Sequence, residues 1–67
     1  PDLTPRELDV LQCLAHGKTT AQISKQLFIS SNTVKTHVRK ILDKLGASNR
    51  AEAVNKAARY DLIISKE

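Results

Sequence analysis

The sequence predicts an all-α, tetrahelical domain, and three observations carry that prediction. Apolar residues recur at three- and four-residue spacing in four separate stretches. Each stretch opens on a serine or threonine suited to cap a helix, and Gly17 and Gly46 close two of them. No segment alternates as a strand would, and there is no repeat or low-complexity tract.

The first helix opens at Thr4-Pro5-Arg6-Glu7. Thr4 caps, Pro5 takes the first helical position, and Glu7 reaches back to complete a capping box. Leu8, Leu11, Leu14 and Ala15 follow at helical spacing, with Val10 and Cys13 widening the stripe, and Gly17 stops it. Thr19-Thr20-Ala21-Gln22 repeats the capping-box pattern and starts a short second helix through Leu27, with Ile23 and Leu27 facing inward. Phe28 and Ile29 are expected to be apolar anchors that fix the angle to the next helix. Ser30 caps a third helix over about 31–45, whose Val34, Val38, Ile41, Leu42 and Leu45 form one apolar stripe. Ser48 is the expected cap of a fourth helix, where Ala51, Val54, Ala57 and Ala58 make a small-residue face ending near Tyr60. Leu62, Ile63 and Ile64 either close the base of the core or meet a neighbouring domain.

Sixty-seven residues make a single domain, 1–67, with a modest core and a stability of about a few kcal/mol. The lone cysteine, Cys13, excludes an internal disulfide and fits a reducing compartment. No apolar run approaches the roughly 20 residues of a membrane helix, and no signal peptide opens the chain. A soluble cytoplasmic module, with no membrane partner, is therefore expected. Pro1 is not an initiator residue, so the chain reads as a fragment or a processed form, with a free-standing regulator of about this length as the alternative. An enzyme is not expected: there is no carboxylate pair in a cleft, no phosphate-binding glycine loop and no nucleophile with a base. Nor is a cofactor or metal. Cys13, His16 and His37 have the spacing of no zinc finger or ribbon, and they are ordinary as a core thiol, a helix-end histidine and a half-packed histidine.

Charge is unevenly placed. Between residues 18 and 50 seven cations (Lys18, Lys25, Lys35, Arg39, Lys40, Lys44 and Arg50) oppose Asp43 alone, whereas the remainder holds four cations and six acids. A cationic middle attracts phosphate backbones through counterion release, although basic runs also serve simply as solvated faces. A short helix, a turn of about three residues and a second helix with a basic outer face form a helix-turn-helix, whose second helix enters the major groove of double-stranded DNA. With Val34 and Val38 facing inward, Lys35, Thr36 and Arg39 turn outward together as candidate base contacts. Phosphate contacts are expected from Thr19, Thr20, Ser31, Asn32 and Thr33 at helix N-termini, and from His37, Lys40 and Lys44.

The run "LTPRELDVLQCLAHGKTTAQISKQLFISSNTVKTHVRKILDKLGASNRAEAV" resembles the LuxR-type helix-turn-helix domain of NarL/FixJ response regulators, quorum-sensing regulators and MalT-like activators. The likeness runs from Leu3 to about Ile63 and is carried by "LTPRE", "NTVKTHV" and the spaced KLG, Ser48, Arg50 and EAV. It departs from the family at Ala47, usually valine-like, and at "TTAQ", where a polar-Lys-Glu start is more usual. The resemblance implies a bacterial transcription regulator in which Lys35, Thr36 and Arg39 make the base contacts. It also implies a homodimer on DNA through the region of Val54, Ala57, Ala58 and Tyr60, RNA polymerase as a partner, and a place at the C-terminus of a longer chain. The competing expectation is a helical protein-interaction module with a non-specific basic surface, which would bind its partner independently of salt.

Overall fold

The computed structural model describes residues 2–62, and four helices follow one another: α1 (Pro5–Ala15), α2 (Thr20–Leu27), α3 (Ser31–Leu45) and α4 (Arg50–Arg59). Their starts are set by side chains that satisfy the free N–H groups of a first turn. Thr4 Oγ1 accepts from Glu7 N (3.1 Å) while Glu7 Oε1 accepts from Thr4 N (2.9 Å), and Thr19 and Gln22 repeat the exchange at 3.2 and 2.8 Å. Ser30 Oγ accepts from Thr33 N at 3.1 Å. The fourth cap differs from expectation. Asn49, not Ser48, is the capping residue: its Oδ1 accepts from Glu52 N at 2.8 Å, and Ser48 instead gives its backbone N–H to the Glu52 carboxylate. Both residue types cap well, and the extended backbone of Asn49 (φ −156°) places its amide over the helix end.

α3 lies at the centre and packs on each of the other three helices. Its Val34, Val38, Ile41 and Leu45 are buried against Val10, Leu11, Cys13 and Leu14 of α1, Ile23 of α2, and Ala53 and Ala57 of α4. Leu42 is only half-buried, so the inner stripe is narrower than the sequence suggests. On α4 the buried pair is Ala53 and Ala57; Ala51 is exposed, and Val54 and Ala58 are half-buried. Alanine tolerates core and water with little difference between them, so contact with α1 and α3 selects which alanines of α4 face inward.

The turn between α2 and α3 spans residues 28–30, and its two apolar residues divide their roles. Ile29 packs on the core as an anchor, whereas Phe28, expected beside it, is 93% exposed. Phe28 adopts the left-handed conformation (φ 57°, ψ 44°) and donates its N–H to Ser24 O, closing α2 where glycine or asparagine is usual. Leu62 rests half-buried on the core. Ile63 and Ile64 lie outside the described residues.

Glu7 is the buried charge among the described residues, 2% exposed. Beyond its capping bond it accepts from Lys44 Nζ at 2.7 Å, tying the start of α1 to the end of α3 across 37 residues of chain. Burial alone would push its carboxyl up, but hydrogen bonds from Lys44 and Thr4 and the charge of Lys44 outweigh it and hold it below the ordinary 4.5. The folded state therefore prefers the ionised acid. That stability is complete above pH 4.5 and falls away as pH drops through the depressed folded value. Glu7→Gln is expected to cost about 2 kcal/mol at pH 7 and to flatten the acid loss of stability, read from urea melts between pH 7 and 3. Equal acid sensitivity in both proteins would show that Glu7 carries none of it. Phe28→Gly is expected to raise stability by about 1 kcal/mol, some 4–8 °C in melting temperature, by relieving the left-handed backbone.

Candidate nucleic-acid interface

The packing of α3 decides which of its residues reach outward. With offsets 0, 4, 7 and 11 buried at Val34, Val38, Ile41 and Leu45, the opposite side presents Asn32, Lys35, Thr36 and Arg39, again at helical spacing. These four line one open hollow on the surface. Lys35, Thr36 and Arg39, the expected base contacts, thus stand together and exposed. Lys35 and Arg39 make no ion pair or side-chain hydrogen bond among the described residues, so both cations are open to an outside partner. Thr36 turns its hydroxyl back, donating from Oγ1 to Asn32 O at 3.0 Å.

The expected phosphate contacts fare unequally. Ser31 and Asn32 are exposed in the first turn of α3, where among the described residues only Thr33 N and Val34 N find acceptors, on Ser30. Their own N–H groups, pointing out of the positive end of the helix, suit an anion. Thr33 is exposed, but its Oγ1 is shared with Ser30 Oγ at 2.8 Å. Lys40 is exposed and unpaired among the described residues. His37 is half-buried, its Nδ1 sealed from water and without a hydrogen bond among the described residues, which leaves Nε2 as the nitrogen able to meet a partner. Lys44 differs from the other cations of α3. Its side chain stays 35% exposed, but its ammonium is held on the buried Glu7 carboxylate at 2.7 Å, so the cation is already paired within the fold.

Thr19 and Thr20 stand at the N-terminal end of α2, and there the structure adds a residue that inspection of α2 and α3 alone misses. Arg50, the first residue of α4, reaches across to donate from Nη2 to Thr20 Oγ1 at 2.9 Å. Arg50 is exposed, so it sets a guanidinium beside the N-terminus of α2. In the sequence it lies 30 residues away, with nothing to tie it to Thr20. Lys56 is engaged differently, donating to Gly46 O at 2.9 Å and closing the end of α3.

On α4, Val54 and Ala58 are half-buried and Tyr60 is 54% exposed, so these three offer surface to a second molecule. Ala57, expected beside them, is fully buried in the core and offers none.

Comparison with known proteins places this geometry in company. The family described as bacterial regulatory proteins, luxR family, matches residues 1–57. The transcriptional regulatory protein LiaR of Bacillus subtilis is 48% identical over 61 residues, 91% of this chain and 29% of its own length. The spore germination protein GerE of the same organism is 44% identical over 54 residues, 81% of this chain and 73% of its own. Among solved structures, the response regulator ChrA of a heme-sensing two-component system superposes with a TM-score of 0.90 at 43% identity, covering 94% of this chain and 31% of that one. The structure of the transcription factor GerE superposes at 0.88 and 37% identity, with 92% of each chain covered. This chain therefore spans less than a third of LiaR and most of GerE.

Lys44 and Lys40, one paired and one unpaired, give contrasting expectations. Lys44→Ala leaves Glu7 buried without its cation and should cost about 3 kcal/mol at pH 7, seen as a lowered melting temperature. Lys40→Ala should leave the melting temperature unchanged, weaken all duplexes alike in anisotropy titrations, and reduce the salt slope by about 1. A Lys44→Ala protein that melts normally yet loses salt slope would return Lys44 to the phosphate contacts.

Proposed function

The chain belongs to the luxR family of bacterial regulatory proteins as a helix-turn-helix DNA-binding domain of transcriptional regulators, and on that premise we propose how it engages its target. α3 lies in the major groove of double-stranded DNA, with Lys35, Thr36 and Arg39 on base edges. The observation that carries this is the exposed, unpaired cationic pair Lys35 and Arg39 beside Thr36, on the side of α3 opposite its buried stripe. Long cationic donors suit the O6 and N7 acceptors of guanine, and a threonine methyl suits that of thymine. Because Thr36 hydrogen-bonds its own helix through Oγ1, its methyl is the group left for an apolar contact.

Docking is steered by the basic middle of the chain and fixed by phosphate contacts from two directions. Thr19, Thr20 and Arg50 grip the backbone from the α2 end, while Ser31, Thr33, His37 through Nε2, and Lys40 grip it around α3. Two copies pair through Val54, Ala58 and Tyr60 of the α4 end, so that two α3 helices meet half-sites about one helical turn apart. The half-buried apolar side chains and the exposed Tyr60 support that pairing. The same proposal places the domain in the bacterial cytoplasm, at the output end of a longer regulator where one is present, acting on transcription by RNA polymerase.

Selection from a randomised duplex library tests it, with salt-titrated anisotropy on the winner and on a scrambled duplex. An inverted-repeat site favoured over the scramble by about 10³ or more is expected. Equal, steeply salt-dependent binding to both would reduce α3 to a basic surface. Arg39→Ala should relax preference at one base position at a cost of about 1–3 kcal/mol.

A further inference from the structure

We propose that Asn32 is a fourth base-reading residue, one that selects an adenine next to the bases read by Lys35, Thr36 and Arg39. Its position near the helix start first suggests a phosphate contact, but its surroundings point elsewhere. Asn32 lines the same hollow as Lys35, Thr36 and Arg39, at offsets 0, 3, 4 and 7 of one helical face. It therefore shares their direction, not that of Ser31 or Lys40 on the flanks.

The chemistry of its side chain is left free for the task. The Asn32 backbone carbonyl is occupied by the Thr36 hydroxyl, while its side-chain amide has no hydrogen bond among the described residues. An unpaired carboxamide carries one acceptor and two donors in a plane. That set matches the N7 acceptor and N6 amino group of adenine in the major groove, where asparagine binds in bidentate fashion. Charge agrees with this division: the cations along the hollow suit the paired acceptors of guanine, whereas a neutral amide adds nothing to phosphate attraction. The extent of the stripe fits as well. From Asn32 to Arg39 the helix rises roughly 10 Å, about three base-pair steps. One turn beyond Arg39 stands the exposed Asp43, whose carboxylate opposes further approach to the DNA backbone. The readable window thus begins at Asn32 and ends at Arg39.

This inference rests on α3 being the groove-facing helix, and one experiment separates the two. The same library selection is run on the chain and on Asn32→Ala, followed by anisotropy on the selected duplex with each adenine replaced in turn by 7-deazaadenine, which lacks the N7 acceptor. The natural chain should enrich one A·T pair per half-site that Asn32→Ala no longer prefers, all other positions keeping their bases. On that duplex Asn32→Ala should bind about ten- to a hundredfold more weakly with an unchanged salt slope. The 7-deaza substitution at that adenine should weaken the natural chain severalfold and leave Asn32→Ala unaffected. An unchanged melting temperature would confirm that the exposed substitution leaves the fold intact. If Asn32→Ala instead lowers affinity equally on every duplex, or selects the same site as the natural chain, Asn32 is not a base reader although α3 still is. A natural chain that enriches no site overturns groove recognition by α3, and this assignment with it.

Discussion

Everything in this small domain depends on α3 serving two surfaces at once. One side of the helix must be apolar enough to hold three neighbours, because 67 residues provide no second core. The other side must stay bare. Val34, Val38, Ile41 and Leu45 meet the first demand, and the hollow of Asn32, Lys35, Thr36 and Arg39 meets the second. The two sets interleave along fifteen residues, so rotation of the helix about its axis would spoil both together. Packing therefore fixes the aim of the outward side chains. In water, Lys35 and Arg39 carry long flexible stems, and a rigid base beneath them limits the order they must acquire on binding.

The tie between Glu7 and Lys44 secures the far end of that helix. A carboxylate that is 2% exposed is tolerable because it holds a capping bond and an ammonium together. The outcome reaches beyond stability: one of the basic residues in the cationic middle is withdrawn from the outer field and turned into a brace. Lys56, on the carbonyl of Gly46, is withdrawn likewise. Arg50 moves the opposite way, from the start of α4 to the mouth of α2. A count of cations along the chain cannot anticipate these exchanges, since each depends on a partner 10 to 37 residues distant.

The division between legible and hidden features follows from the range of the forces. Helices α1 to α3, their N-terminal caps and the two glycine stops were determined by the sequence itself, because capping and periodicity act within one or two turns. So was the outward grouping of Lys35, Thr36 and Arg39, which follows from the spacing of Val34 and Val38 and the pitch of a helix. Tertiary structure alone decided what needs neighbours. It chose Ala53 and Ala57 as the inner face of α4 where alanines gave no contrast, left Phe28 in water while Ile29 anchored the turn, and set Asn49 ahead of Ser48 as a cap. It also paired Lys44 with Glu7 and Arg50 with Thr20. Local hydrogen bonds and hydrophobic spacing are written along the chain, whereas the choice of partner for a long charged side chain is made only when distant segments meet.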